Sequence, residues 1–445
     1  MPTASHDSEP VPSPAETSRY HLVRPRFLDQ GFRALHNRNY RLFWFGQLIS
    51  VSGTWMQTTA QAWLVLKIAD SPFSLGLVTT FQFLPVTILA LYGGLLADRL
   101  WKRRALLLTQ GILTIQAFIF GLLVAAGVIE LWQIYILAMI QGIVNAVDTP
   151  VRQAFVVEMV GREDLTNAVA LNSMEFNAAR ILGPTLAGVI IDRIGIAPTL
   201  IMNAISYLPV LGALLLMREA ELHIVPPSTR GSATQRLLEG LSYAWRSPNV
   251  LTVLIVVAAI GTFGYNFSIV LPLLARYVLH TNAAGFGELG SFLGFGSLVG
   301  AIVTAYYTNV RIQRLLIGSG AFSIIFGAVA VTRVFALSAI LLVALGFAGI
   351  IFAITANTLL QLESPDALRG RIMSVYVLLF MGSTPVGGFL IGTLSDTFGV
   401  PAALLICAVL CLVGVAIAVL YYRGSRVSRP LPPTDYEPEK IVRGA

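Results

Sequence analysis

The chain has 445 residues, of which 56% are hydrophobic and only 12% charged, with a mean hydropathy of +0.74. Soluble domains run near ~45–50% apolar and ~25% charged, so a soluble enzyme is excluded. The net charge of +7 is a matter for membrane topology and anionic lipid, and no nucleic-acid partner is expected.

Residues 1–39 hold Pro, Ser and several Arg but no apolar segment ahead of a small-residue cleavage site, so they read as a retained cytoplasmic tail. Twelve largely apolar stretches follow, each near the ~20 residues that cross a ~30 Å hydrocarbon core. They fall at 40–66, 74–97, 105–127, 131–154, 166–191, 197–217, 248–279, 286–308, 314–333, 336–360, 370–394 and 399–422. The predicted fold is therefore all-α. A six-helix bundle spans 40–218, a polar linker 219–247, a second bundle 248–422, and a Pro-rich cytoplasmic tail 423–445. With the N-terminus inside, all of the 30 Lys and Arg fall on the cytoplasmic side except Lys67, Arg193, Arg276, Arg333 and the intrahelical Arg180. Both termini are then cytoplasmic, in a multi-pass protein of the cell's inner (cytoplasmic) membrane.

In helix 1, Gln47, Ser50, Thr54, Gln57, Thr58 and Gln61 share one face. Lipid would not be offered that face, so it lines a cavity or makes helix-to-helix hydrogen bonds. After helix 2 the stretch "GGLLADRLWKRRALL" crowds Asp98 with Arg99, Lys102, Arg103 and Arg104; as bare charge it is a topology determinant. In helix 4, Gln141, Asn145, Asp148 and Arg152 lie on one face, and Asp148 can pair with Arg152 at i, i+4. Helix 5 carries Arg180 inside an apolar run, with Ser173 and Asn177 near its face and Pro184 to kink it. An intramembrane Arg points to a substrate or coupling role, or to a structural pair across helices 4 and 5, with Asp148 or Glu175 as partner.

The second half is nearly free of mid-membrane charge. Thr262, Tyr265 and Asn266 of helix 7, and Thr355, Asn357, Thr358 and Gln361 of helix 10, are its cavity candidates. In helix 8, "GFGELGSFLGFGSLVG" places small residues at three- and four-residue steps, which suits close helix packing. It contains a G-x-G-x-x-G, but no strand precedes it and a dinucleotide site is not expected. "LAGVIIDRIG" at 186–195 and "LIGTLSDTFG" at 390–399 share L-x-G-x-x-x-D-x-x-G and relate helix 5 to helix 11 as parallel repeats. No Walker sequence, H-E-x-x-H or paired cysteine ligands occur, so no cofactor and no metal are expected. Cys407 and Cys411 read as small apolar residues of helix 12.

On these residues the chain, over about 32–422, resembles the major facilitator superfamily, whose twelve helices form two halves around a central cavity. Gly94, Asp98, Arg99, Lys102 and Arg103 match its loop signature between helices 2 and 3, with Trp101 at the second glycine position. "ARILGPTLAG" is similar to the exporter signature of helix 5 through Gly183, Pro184 and Gly188, with Ala179 and Ala187 at two glycine positions. "RALHNRNYRLFWFGQLIS" and the stretch from "DTPVRQAF" to "ARILGP" resemble the enterobactin-exporter and macrolide-efflux branch. The resemblance implies that Asp98 belongs to a cytoplasmic gate against the start of helix 11, "RGRIMS". It further implies proton-coupled export of small amphipathic molecules by a monomer, with Asp148 and Glu175 as the titratable candidates. Nutrient uptake by the same fold, or a transport-inactive sensor, are the alternatives.

Overall fold

The computed structural model describes residues 31–223, 233–306 and 310–427. The side chains of 90–99, 233–237, 366–367 and 426–427 lie outside the described residues as well. Among the described residues the chain is helical with no strand.

The first six long helices are α1 (Arg38–Ala69), α2 (Pro72–Arg99), α3 (Lys102–Ala125), α4 (Leu131–Val160), α5 (Leu165–Ile194) and α6 (Ile196–Leu216). After a linker helix, Ala233–Arg246, come α7 (Pro248–Val278), α8 (Ala283–Tyr306), α9 (Ile312–Val331), α10 (Phe335–Leu362), α11 (Asp366–Phe380 and Thr384–Phe398) and α12 (Val400–Val427). Their ends follow local chemistry. Asn37 caps α1 through its side chain, which accepts from the Tyr40 amide at 3.1 Å. Glu130 and Gln133 form a reciprocal capping box at α4. Gly161, Gly195 and Gly399 end α4, α5 and α11 with φ of 70°, 101° and 80°, a region where a Cβ would be strained.

Ten helices are long and apolar enough to cross a membrane by length and composition. The two long helices outside that set are α1 and α5, which carry the polar and charged stripes read from the sequence. Consecutive helices joined by short loops alternate in direction. The start of α1 and the end of α12 therefore share one end of the molecule, here the terminal end, and the opposite one is the far end.

Two predicted spans, 248–279 and 370–394, are interrupted. Helix α7 breaks between Phe263 and Phe267 and then widens into a π-turn at Leu274–Val278. Helix α11 breaks at Met381–Ser383, just before Pro385, which has no amide to donate. Inside the expected polar linker lies a helix that docks on the start of α11. A Cβ on Gly240 would sit 2.7 Å from the Arg371 carbonyl oxygen, and Arg371 pairs with Glu239.

The two six-helix halves meet along two seams, α5 against α8 and α2 against α11. The glycines of α8 serve two neighbours at once. A Cβ on Gly287 would stand 2.5 Å from the Pro184 carbonyl oxygen of α5, while Gly296 and Gly300 abut the Val343 and Phe347 carbonyls of α10. The G-x-G-x-x-G of this helix is spent on close packing. At the second seam a Cβ on Gly76 would lie 2.7 Å from the Gly388 carbonyl oxygen and 3.0 Å from the Gly392 Cα.

Candidate transport site

The charged residues of the first half form a tie between helices. Asp148 is 1% exposed. Its Oδ1 accepts from Thr109 Oγ1 at 2.7 Å and Gln110 Nε2 at 2.8 Å, both on α3, and its Oδ2 lies 3.3 Å from Arg152 Nη2. Arg152 in turn donates to Gln47 Oε1 of α1 at 3.0 Å. A carboxylate with three donors on two helices meets its desolvation cost, and the group holds α1, α3 and α4 together. Glu175 of α5 is buried, accepts no hydrogen bond among the described residues, and feels Arg152 as its opposite charge.

Arg180 departs from expectation. It pairs with neither Asp148 nor Glu175, and no partner for it is found among the described residues; the base that Asp148 takes is Arg152. Its direction follows from its neighbours on α5. Gly183 abuts Ser52, Trp55 and Met56 of α1, and Pro184 abuts Gly287 and Gly290 of α8. At ~100° per residue Arg180 projects between those two contacts, about 60° from one and about 40° from the other. It thus faces the space between the halves, half-buried, with Ser173 and Asn177 near its line. Asn177 itself bonds back to the Ser173 carbonyl at 2.8 Å. Helix α5 runs unbroken through Pro184.

The stripe of α1 is mostly turned into its own half. Gln57, fully buried, accepts from Asn203 Nδ2 of α6 at 2.7 Å and donates to Gln116 Oε1 of α3 at 3.3 Å and to Gln141 Oε1 of α4 at 3.5 Å. Gln82 of α2 also donates to Gln141 Oε1, at 3.4 Å. This amide network joins five helices, so Gln57 and Gln141 are fasteners within the bundle and do not line an opening. Gln47 and Gln61 are buried too, each at 2% exposure. Thr54, hydrogen-bonded to the Tyr207 hydroxyl at 3.1 Å, and Thr58 and Asn145 are half-buried and stay candidates for the lining.

The opposite wall is aromatic. Tyr265, at the break in α7, packs its ring on Phe380 at 4.9 Å and Phe267 at 5.0 Å, and Tyr376 stacks on Phe380 at 5.6 Å. Asn266 is buried and donates to the Thr262 carbonyl at 2.7 Å, covering a backbone group that the break exposes. It is a structural patch and not cavity lining. Thr358 does line an opening, a pocket of about 240 Å³ shared with Ala353, Ile354, Asn357 and Tyr376. Tyr376 and Phe380 were absent from the sequence-based candidates, since "SVYVLLF" reads as ordinary apolar helix.

At the far end the halves are bonded across both seams. Asp70, left-handed at φ 43°, accepts from Arg276 and Tyr277, each at 3.3 Å. Ser71 donates to Asp396 at 3.1 Å and Asn282 to Asp192 at 3.0 Å. Nearer the middle, Thr80 and Thr87 donate to the carbonyls of Pro385 and Gly382 at 3.1 and 3.3 Å, and Thr185 meets Ser291. The two copies of the repeat play one part: Gly188 and Gly392 are the seam glycines, and Asp192 and Asp396 are the cross-half acceptors one turn on.

At the terminal end, Gly94, Asp98 and Arg99 lie outside the described side chains. Lys102 and Arg103 turn into their own half, Lys102 to Glu158 of α4 at 2.7 Å and Arg103 to Glu219 and the Leu214 carbonyl, the latter at 2.6 Å. Neither reaches α11, whose Arg371 is held by the linker helix.

Two six-helix halves, joined by two glycine seams and bonded at one end around a polar and aromatic interior, define a transporter of the major facilitator type. More narrowly, the chain belongs to the transmembrane secretion effector family, whose pattern covers residues 30–437. It is similar to the staphyloferrin A transporter of Staphylococcus aureus, 24% identical over 81% of this chain and 90% of that one. It is likewise similar to the enterobactin exporter of Citrobacter koseri, 26% identical over 90% of this chain and 95% of that one. Among solved structures, a bacterial homologue of the human lysosomal transporter Spinster, inward-facing and unoccupied, shares the fold with a TM-score of 0.69 at 14% identity, over 91% of this chain and 99% of that one.

Proposed function

We propose that the protein is a secondary active exporter of small amphipathic organic molecules, siderophore-like or drug-like, working by alternating access and coupled to inward proton flow. The observation that carries this reading is the asymmetry of the interior: hydrogen bonds and seam glycines close the far end, while Arg180, Ser173 and Asn177 face the space between the halves on the terminal side of that closure. The Lys and Arg distribution supports a cytoplasmic terminal end in the inner membrane. A polar wall facing an aromatic one suits a molecule with a polar head and an apolar body, and the printed names of the relatives point the same way. Glu175 is the proton carrier in this scheme, because it is a buried carboxylate with no hydrogen-bond donor, whereas Asp148 is held by three. Asp98 closes the terminal end in the opposite state. The working unit is a single chain in lipid.

Inverted membrane vesicles test the proposal. A panel of labelled lipophilic drugs and siderophores should include compounds that accumulate inside the vesicles only while a proton gradient is maintained. Glu175→Gln should abolish the dependence on the gradient, and Asp98→Asn should slow transport at unchanged membrane abundance. Movement in the opposite direction would make uptake the right reading, gradient-independent movement would remove the coupling, and no movement of any compound would favour a sensor.

A further inference from the structure

The charges inside the first half are not all paired. Arg152 is matched by Asp148 and lies within reach of Glu175. Glu175, five residues before Arg180, points about 140° away around α5 at ~100° per residue. Arg180 is left as a guanidinium near the middle of the membrane with no acid of its own among the described residues. Such a group is costly in place unless something pairs with it. A guanidinium presents a planar fork of donors that matches a carboxylate in two parallel hydrogen bonds, and it keeps its charge at any pH a cell meets. The protein holds this fork one turn before the Pro184 contact with Gly287. On the other half, in α10 and α11, a pocket of about 240 Å³ is lined by Ala353, Ile354, Asn357, Thr358 and Tyr376, none of them charged.

We propose that Arg180 anchors an anion subsite, and that the transported molecule carries a carboxylate on an apolar or aromatic body which lodges against Tyr376 and Ile354. The assignment rests on the transport reading for its biological meaning, but binding tests it separately. Ser173 and Asn177 supply neutral polar contacts beside the guanidinium, and Trp55 with Phe176, ring centres 5.8 Å apart, flanks it on the α1 side.

The test uses the full chain in lipid nanodiscs and three fluorescent probes of one aromatic body: dansylglycine, an anion; dansylamide, neutral; and dansylethylenediamine, a cation. Empty nanodiscs correct for partition into lipid. Wild type should bind dansylglycine about tenfold or more tighter than dansylamide, the ratio expected of one charge-assisted pair. Arg180→Gln should lower dansylglycine affinity to that of dansylamide while leaving dansylamide binding intact, which also shows the variant to be folded. Arg180→Lys should keep part of the preference. Equal binding of the anion and the neutral probe, tighter binding of the cation, an anion preference that survives Arg180→Gln, or no binding of dansylglycine at about 1 mM would each overturn the subsite. The same proteins in inverted vesicles separate the two readings. A probe that binds through Arg180 but is never moved leaves the subsite standing and removes transport, whereas movement without anion preference does the reverse.

Discussion

The two halves share a frame and differ in what they put inside it. Both carry the L-x-G-x-x-x-D-x-x-G segment, in α5 and α11, and in both the glycine makes the seam and the acid takes a hydrogen bond from the other half. Inside, the first half holds a charged tie around Asp148 and an amide network around Gln57. The second holds rings: Tyr265, Phe267, Phe322, Phe380 and Tyr376. The difference teaches that pseudo-symmetry here governs how the halves meet, while the contents of each half are free to specialise.

The largest expected effect breaks the charged half alone. Asp148→Ala removes the carboxylate that Arg152, Thr109 and Gln110 share, and removing one partner of a buried ion pair costs about 3–5 kcal/mol; thermal denaturation of the purified protein should show it, with Asp148→Asn recovering a part. No change in the melting temperature would mean that the tie is ornamental and that the two halves are close in kind. The second effect probes the shared frame. Gly188→Leu and Gly392→Leu add bulk against backbone at 2.6 and 2.9 Å, and overpacking of this kind costs about 1–3 kcal/mol. Both should raise labelling of an Asn282→Cys reporter by a membrane-impermeant maleimide, and by similar amounts. Gly318→Ala, where a Cβ meets nothing within 4 Å, is the matched control. Unequal responses would show that the two seams are not equivalent. The smallest effect sits at the far end, where Arg276 and Asp70 are 43% and 65% exposed on their side chains. Arg276→Gln should cost under about 1 kcal/mol, and any gain in reporter labelling should fade as salt is raised.

Much of the frame was legible. The long apolar runs gave the helices, and the spacing of Asp148 and Arg152 gave a pair that the fold contains. The interior was less so, for a definable reason. A polar stripe on a helix has the same period whether it faces a cavity or a neighbouring helix, so Gln57 and Gln141 could not be told from lining residues until α3 and α6 were placed beside them. The breaks in α7 and α11 fall at residues 264–266 and 381–383, whose Gly, Asn, Ser and following Pro were signals, but the apolar runs on either side merged them into one span each. Asp148 and Glu175 were the partners the sequence offered Arg180, and the structure pairs it with neither: Asp148 is taken by Arg152 and two donors of α3, and Glu175 points about 140° away around α5.

The two long helices outside the ten membrane-span candidates also bear on how the protein is made. Neither α1 nor α5 is apolar enough to be comfortable alone in hydrocarbon. The buried face of α1 is covered by α5 and α6, from the same half, but α5 also needs α8, which is synthesised later. For as long as the ribosome has not delivered α8, the Arg180 face of α5 has no permanent wall opposite it. The first half therefore gains the last wall of α5 only when the second half folds against it.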